Sequence, residues 1–286
     1  MRLGRSPAPP LEVIYSDNHL LAVNKAVCRP SVPDTSGDLS VFEQAELAVR
    51  ERYNKPGRAW LANAHRLDRP VSGVLLFART SKAASRLSAA FAAGRIQKVY
   101  WAVAPAMALG ALGGAAARGR GSEGTVRQWL SKNRATNTVR SVRAGSRGAK
   151  EALTDWRVLQ HETPHTLLEF RPLTGRPHQL RLAAAELGAP LLGDLRYGAT
   201  SPLPDRSIAL HARSLEFPHP TRPQRLRLVA PPPPLLELEH GGAVWDGRLC
   251  AQARADGIQV HWTVRRRAFL SPSLPAPESS PTLVHG

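Results

Sequence analysis

The apolar residues of this chain fall into short runs bounded by turn residues, and this pattern constrains the fold more than any other feature. Residues 74–78 form such a run between a glycine and an arginine, which is typical of a buried strand. Residues 13–15 and 20–23 flank a polar turn, which predicts two paired strands. Because these runs alternate irregularly with helical segments, the sequence predicts an α+β fold with a mixed, mostly antiparallel β-sheet core flanked by helices.

Two segments carry the spacing and the caps of amphipathic helices. Ser40 followed by Glu43 matches a capping box, and the apolar spacing behind it predicts a helix over residues 41–52. A second helix is predicted with Ser81 as its cap and Gly94 at its end. Further strands are predicted at residues 98–103, 208–210 and 226–229, with an antiparallel hairpin of 156–159 and 166–170 around a turn at 161–165.

The chain is strongly basic. Its 286 residues include 39 Lys and Arg against 22 Asp and Glu, a formal net charge of +17, and a hydrophobic share of 42% excludes a wholly disordered basic tail. Such a charge predicts a polyanionic partner, and nucleic acid fits because each neutralised phosphate releases counterions. An anionic membrane surface would require an amphipathic helix with large apolar residues opposite its cations, and the sequence offers none. Residues 110–150 hold nine Lys or Arg and one acid, Glu123.

Cysteine usage predicts a reducing compartment, and hydropathy predicts a protein that is neither secreted nor embedded in a membrane. Only Cys28 and Cys250 occur, without a C-x-x-C pair, so neither a disulfide framework nor a cysteine zinc site is predicted. The N-terminus is not followed by an apolar stretch of signal-peptide length, and no run reaches the roughly 18 apolar residues that span a bilayer. We therefore expect a cytoplasmic protein that does not bind membranes.

Asp68 is the most unusual polar residue, because His65, Arg66 and Arg69 lie beside it in the sequence and Pro70 follows. Positive neighbours keep a carboxylate ionised at neutral pH. An ionised, positioned carboxylate serves as a nucleophile or as a general base. The alternative interpretation is that Asp68 caps a turn or pairs with a surface arginine.

Residues 175–181, GRPHQLR, form a second polar group. They are predicted to open a helix that has Pro177 in its first turn and ends at Gly188. Its basic side chains either bind phosphates at the helix start, or one of them pairs with Asp68, or the group is an ordinary polar helix terminus. These side chains are Arg176, His178 and Arg181.

Lys98 and Tyr100 share one face of a predicted strand, because side chains alternate along it. In one interpretation Tyr100 stacks on a nucleic-acid base. In the other it is a core aromatic residue beside a solvated lysine.

Two literal motif matches predict no site. Residues 119–124 fit G-x-G-x-x-G, but the strand that this dinucleotide motif requires is missing before them. His161 and His165 have the spacing of a helical metal pair, but a proline between them breaks such a helix. No metal site is predicted.

Ordered motifs over residues 12–232 resemble those of the RluA-type pseudouridine synthases. Residues 65–76, HRLDRPVSGVLL, resemble the family signature H-R-L-D-x-x-x-S-G-V/L-L. The chain departs from the family pattern at Ala26, where the family usually has Pro, and at Cys28-Arg29-Pro30. The other matching segments are 21–25 (LAVNK), 98–100 (KVY), 129–132 (WLSK) with Asn137, 175–181 (GRPHQLR), and 190–194 (PLLGD) with Tyr197-Gly198.

The resemblance implies the pseudouridine synthase catalytic fold with a central RNA-binding cleft, and isomerisation of a specific uridine in structured rRNA or tRNA. Asp68 matches the catalytic aspartate, which either abstracts a ribose proton or attacks covalently. Tyr100 matches the tyrosine against the target base, and Arg181 matches the basic residue that pairs with the aspartate. Arg66 matches the arginine that enters the RNA when the base is turned out. Further RNA contacts are expected from His65, Arg69, Lys98, Arg176, His178 and Gln179.

The catalytic domain is expected over residues 12–245, behind an N-terminal tail of residues 1–11 that is too short for the S4-like RNA-binding domain of longer family members. The Ala/Gly-rich residues 108–121 predict a flexible loop. Residues 246–270 are expected to form a C-terminal extension, and the Pro/Ser-rich residues 271–286 are predicted to be disordered.

The implied isomerisation involves neither redox chemistry nor group transfer, so no cofactor or metal is expected. We expect a monomer with RNA as its partner. The alternative from a different class is a non-catalytic RNA-binding or ribosome-assembly protein with the same fold, against which the intact set of Asp68, Tyr100 and Arg181 argues. A metal-dependent nuclease is disfavoured because the sequence lacks a carboxylate cluster for Mg²⁺.

Overall fold

One mixed β-sheet organises the protein in a computed structural model, which describes residues 10–54, 56–106, 123–133, 136, 138–162 and 164–233. The strands are β1 Glu12–Ser16, β2 Leu20–Lys25, β3 Ala62–Asn63, β4 Ser72–Ala78, β5 Gln97–Pro105, β6 Glu123–Asn133, β7 Thr138–Val142, β8 Lys150–Glu162, β9 His165–Pro172, β10 Leu210–Pro218 and β11 Arg225–Val229. The helices are α1 Val41–Arg52, α2 Ser81–Ala92, α3 Gln179–Glu186 and a short 3₁₀ helix Leu195–Tyr197.

The strand order confirms the predicted mixed, mostly antiparallel sheet. The path runs β1-β2-β4-β10-β5-β9-β8-β6-β7, with β11 paired to β10 and β3 paired to β4. Among the described strand pairs, β4 with β10 is the parallel one. β4 therefore lies between an antiparallel neighbour, β2, and a parallel one.

The parallel pairing of β4 with β10 depends on one glycine. Gly73 has a φ of +115°, and a Cβ there would overlap the backbone of Ala212 on β10. Only glycine allows this approach without strain. Beside it, the buried Ser72 lies 2.9 Å from Nδ1 of the buried His211. The Ser-Gly pair of the motif at residues 65–76 thus joins β4 to β10.

Helices cover the sheet unevenly. Alternate residues of β2 and β4 pack into two different clusters, one with α1 and α3 and the other with α2, so β2, β4 and β10 form a covered half of the sheet. All seven residues of β4 are buried. On β6, β7 and β8, which we call the open half, one face packs towards α3 and the other carries exposed ion pairs such as Arg127–Glu151.

The first predicted helix is confirmed, whereas the start of the second differs. Ser40 caps α1, and its capping box with Glu43 is complete. The cap of α2 is Thr80 rather than Ser81, because the Thr80 hydroxyl accepts a hydrogen bond from the backbone N–H of Ala83. The prediction of Ser81 as the cap is therefore wrong by one position.

Two further local predictions require correction. α3 begins at Gln179, so Pro177 lies before the helix and not in its first turn. The hairpin of β8 and β9 is longer than predicted, and His161 and His165 lie in its strands rather than in the turn. The predicted loop 108–121 and residues 246–286 lie outside the described residues. In the described part of the chain, no helix is long and apolar enough to cross a membrane.

Candidate active site

Asp68 lies in the turn that leads into β4, and a buried lysine fixes this turn. The ammonium group of Lys25 donates hydrogen bonds to the carbonyl oxygens of Ala26 at 3.1 Å, Arg69 at 3.0 Å and Val71 at 2.5 Å. Lys25 is 1% exposed, so these carbonyls replace its lost water. Burial lowers the pKa of Lys25 to about 7, and the nearby charge of Asp68 opposes that shift. The backbone on the C-terminal side of Asp68 is thereby anchored, while its own side chain stays 33% exposed.

Arg181 on α3 connects two carboxylates. Its Nη1 lies 3.5 Å from Oδ2 of Asp68, which is the contact predicted from the sequence. Its stronger partner is Asp194, which accepts two hydrogen bonds from Nε at 2.7 Å and Nη2 at 2.6 Å. Burial acts to lower the pKa of Arg181, but the hydrogen bond and charge of Asp194 outweigh it and the pKa is raised. Arg181 therefore stays charged and oriented towards Asp68.

Asp194 is a residue of the candidate site that reasoning from chemistry alone missed. It is 1% exposed and precedes the short 3₁₀ helix. Gly193 before it has a φ of +80°, and a Cβ there would overlap the carbonyl oxygen of Ser207. The signal was present in the motif at residues 190–194, but no local pattern shows that its aspartate meets an arginine 13 positions earlier.

His178 and Tyr197 complete the group around Asp68. His178 precedes α3 in the left-handed region, with a φ of 54°. Its Nδ1 lies 2.7 Å from the Tyr197 hydroxyl, and its Nε2 lies 3.8 Å from Oδ2 of Asp68. The Arg181 guanidinium lies over the Tyr197 ring at 4.9 Å. Burial lowers the pKa of His178, although the charge of Asp68 raises it.

Tyr100 on β5 is half-buried and packs against the core that lies under α1 and α3. Burial, followed by the charge of Asp68, raises the pKa of Tyr100, so its hydroxyl remains protonated at neutral pH. The structure thus places an aromatic ring within electrostatic reach of the carboxylate. Its predicted contact with a base stays a prediction.

Two of the residues predicted to contact RNA form hydrogen bonds within the protein. Gln179 is buried, and its amide accepts from the Thr174 hydroxyl and the Arg176 N–H and donates to Leu153 and Thr154. All four hydrogen-bonding positions of its amide are therefore occupied within the protein, and its contact with RNA stays a prediction.

His65 is also bound within the protein. Its Nε2 accepts a hydrogen bond from the backbone N–H of Leu76 at 3.1 Å, and its ring packs against Phe91. Burial, followed by the charge of Lys98, lowers the pKa of His65 to about 4, so the ring is neutral at pH 7. It adds no positive charge for RNA and holds the start of the motif against β4.

The remaining residues predicted to contact RNA differ in whether their cationic groups already bind partners within the protein. Arg66 is exposed. Arg69 pairs with Asp34 and Asp38. The other two cations donate to backbone carbonyls, Lys98 to Thr174 and Arg176 to Glu151. Arg66 is thus the member of this set that the structure leaves open to solvent beside Asp68.

No group of three or more His, Cys, Asp or Glu within the described residues has the geometry of a metal site. His161 instead bonds to the Thr166 hydroxyl through Nδ1 at 2.8 Å. The chemistry available at the site is that of one partly exposed carboxylate, held near a buried arginine, an imidazole and two tyrosines.

Comparison with known proteins agrees with this geometry. A sequence profile described as RNA pseudouridylate synthase matches residues 19–186. An uncharacterized RNA pseudouridine synthase of Zymomonas mobilis is 39% identical over 206 residues, covering 72% of this chain and 86% of that protein. The ribosomal large subunit pseudouridine synthase D of Xanthomonas campestris is 32% identical over 276 residues, covering 90% of this chain and 73% of that protein.

A solved structure has the same fold. The human RNA pseudouridylate synthase domain-containing protein 1 superposes with a TM-score of 0.62 at 28% identity, covering 88% of this chain and 97% of that one. The likeness therefore covers much more of the chain than the motifs alone.

Proposed function

Because this chain belongs to the RNA pseudouridylate synthase family, whose members isomerise uridine in RNA to pseudouridine, we propose that Asp68 is its catalytic aspartate. The observation that carries the proposal is the pairing at the site. Asp194 holds Arg181 by two short hydrogen bonds, and Arg181 directs its third nitrogen at the partly exposed Asp68. Of the two carboxylates at this arginine, Asp68 is the one that a substrate reaches.

The reaction explains why such a carboxylate is needed. The uracil must leave its ribose, turn and rejoin through carbon, and a base inside a helix must first be extruded at a cost of a few kcal/mol. An ionised Asp68 either abstracts a ribose proton or attacks covalently, and both routes require the charged form. The positive charge of Arg181 favours that form.

Tyr100 and Arg66 have complementary roles in this proposal. The Tyr100 ring, half-buried near Asp68, offers a stacking surface for the extruded uracil, which is worth about 1–3 kcal/mol per base. The exposed Arg66, two positions before Asp68, fills the gap that the extruded base leaves in the RNA.

The partner is RNA, and we propose that it is rRNA or tRNA modified by a cytoplasmic monomer without a cofactor. Because the isomerisation oxidises, reduces and transfers no group, it requires no cofactor. The exposed cations Arg127, Arg140 and Arg143 lie within the basic segment 110–150 and are assigned to flanking phosphates.

The test uses purified protein and total RNA from cells that lack the gene, with pseudouridine quantified by mass spectrometry after digestion. We expect Asp68→Asn to lower the single-turnover rate by about 10³-fold or more while RNA binding survives. Asp155→Asn, at a carboxylate on the open half that bonds to Thr125, is the matched control and should retain the wild-type rate. A wild-type rate in Asp68→Asn would overturn the assignment, and a wild-type protein that binds RNA without forming pseudouridine would indicate the non-catalytic alternative.

A further inference from the structure

The contacts of the Tyr197 hydroxyl favour one assignment of the ring hydrogen of His178. The Tyr197 hydroxyl has one hydrogen, which it donates to the carbonyl oxygen of Val139 at 3.2 Å. With that hydrogen on Val139, the hydroxyl accepts at its 2.7 Å contact with His178 Nδ1, and we assign the imidazole hydrogen to Nδ1 on this basis. In the neutral ring, Nε2 is then left with a bare lone pair.

That lone pair faces the carboxylate of Asp68. His178 Nε2 and Asp68 Oδ2 are 3.8 Å apart, too far for a hydrogen bond and close enough for a shared proton to draw them together. The side chain of His178 is 12% exposed and that of Asp68 is 33% exposed, so water reaches the pair mainly from the Asp68 side. The other charged and titratable groups that face His178 are Arg181, Arg196, Asp194 and Tyr197.

The backbone of His178 indicates that this placement is selected rather than incidental. A φ of 54° is uncommon for a residue other than glycine, and it costs of the order of 1 kcal/mol. His178 occupies the N-cap of α3 but makes no side-chain capping bond there. Its side chain contacts Tyr197 and faces Asp68 instead of capping the helix.

We propose that His178 and Asp68 form a proton-sharing pair, in which His178 Nε2 takes up and returns a proton at the Asp68 carboxyl group during the isomerisation. This inference rests on the proposed catalytic role of Asp68. If Asp68 removes a ribose proton, the O–H bond on Asp68 breaks and an N–H bond forms on Nε2, giving carboxylate and imidazolium. Return of the proton reverses both changes, and nothing is oxidised or reduced. His178 is thus a positioning residue that acts through Asp68.

Asparagine is the sharpest substitution for this residue. In His178→Asn, the amide nitrogen overlays Nδ1 and keeps the donor to Tyr197, and asparagine tolerates the left-handed backbone. The group that faces Asp68 is lost, together with the edge-to-face ring contact with Tyr197. His161→Asn, at an exposed histidine of the β8–β9 hairpin that bonds to Thr166, is the control.

The kinetic test measures single-turnover pseudouridine formation between pH 5 and 8.5 with total RNA from cells that lack the gene. In the wild type, protonation of His178 at acidic pH places an imidazolium against Asp68, so the rate falls on the acid side. We expect His178→Asn to lower the plateau rate by about 10²-fold and to remove the acid limb, whereas His161→Asn changes neither. A wild-type pH profile in a folded His178→Asn variant would overturn the proposal.

A second measurement needs neither RNA nor activity. Nitrogen-15 NMR of the free protein follows the protonation of His178, which is assigned by the signal that His178→Asn removes. We expect a proton on Nδ1 in the neutral ring, and Asp68→Asn should lower the pKa of His178 by about one unit or more. An unchanged pKa would overturn the proton-sharing pair even if His178→Asn fails to fold. Conversely, an active Asp68→Asn enzyme with a shifted His178 pKa would remove the proposed function and leave the pair intact.

Discussion

The covered and open halves of the sheet contribute different parts of the site. The covered half supplies the carboxylate, because Asp68 precedes the wholly buried strand β4 and is fixed by Lys25. α3, which carries Arg181, packs on the open half through Leu182 and also belongs to the cluster that covers one face of β2 and β4. The carboxylate thus comes from the start of a wholly buried strand, and the arginine that faces it comes from a helix that contacts both halves of the sheet.

The two halves also differ in how they are encoded. A strand with helices on both faces shows a continuous apolar run, as at residues 74–78. A strand with one solvent-exposed face shows alternation of buried and exposed side chains. On β6, Val126, Gln128 and Leu130 are buried and Arg127 is exposed. The first pattern was recognisable from the sequence, whereas a buried glutamine in the second required the structure, since Gln128 bonds to the Leu182 carbonyl on α3.

The largest effect on stability is expected where the covered half is tightest. In Gly73→Ala, a Cβ would collide with the β10 backbone and the residue would have to adopt a φ of +115°. Strain of about 1–3 kcal/mol and overpacking of about 1–3 kcal/mol together predict a loss of roughly 4 kcal/mol in the free energy of unfolding. Urea denaturation measures it, with Gly57→Ala, where a Cβ meets open space, as the control. Equal stabilities of the two variants would contradict the close approach of β4 and β10.

The next effect concerns the ion pair between Arg181 and Asp194, which orients Arg181 towards Asp68. Asp194→Asn leaves the charge of buried Arg181 without its main partner, for which we expect a loss of about 3 kcal/mol in unfolding free energy. Adding Arg181→Met to this variant should cost less than the sum of the single changes. Strict additivity in the double-mutant cycle would mean that the two side chains do not depend on each other.

A pH-dependent effect isolates Lys25. Burial lowers its pKa from 10.5 to about 7, so between these values it is protonated in the unfolded chain and neutral in the folded one. The unfolded state then binds one more proton, and stability rises with pH by up to about 1.4 kcal/mol per unit. Thermal unfolding at pH 7 and pH 9.5 should show wild type gaining stability relative to Lys25→Met. A constant difference between the two proteins would contradict the depressed pKa.

The smallest effect on stability is expected on the open half. Arg127 is 63% exposed and pairs with a half-exposed Glu151, so Arg127→Ala should change the unfolding free energy by less than about 1 kcal/mol. If Arg127 contacts a phosphate, the slope of log affinity for RNA against log salt should fall by about one. Filter binding at several salt concentrations measures the slope, and an unchanged value would assign this face to solvent rather than to RNA.

Features that depend on residues close together in the sequence could be predicted from it, whereas features that depend on distant residues could not. The capping box of Ser40 and Glu43 is complete within one helical turn, so the sequence alone identifies it. Thr80 and Ser81 both carry hydroxyls, and the choice between them depends on backbone geometry. α3 starts after His178, which has a left-handed backbone conformation. The side chain of His178 contacts Tyr197, which lies 19 positions later in the sequence. Long-range pairs of this kind have no local signal.

The candidate site divides in the same way. Asp68 was identifiable because its charged neighbours and its motif are contiguous in the sequence. The role of Asp194 and the structural roles of Gln179 and His65 were not, because each follows from contacts between distant strands and helices. Burial decides whether a polar residue of a motif meets substrate or supports its neighbours.

The most direct test of the central assignment is a pseudouridine map of cellular RNA. Cells that lack the gene are complemented with wild type or with Asp68→Asn, produced at equal levels, and carbodiimide-based mapping compares their rRNA and tRNA. We predict that at least one uridine is modified with the wild-type protein and remains unmodified with Asp68→Asn. Full modification of that uridine by Asp68→Asn would contradict the account.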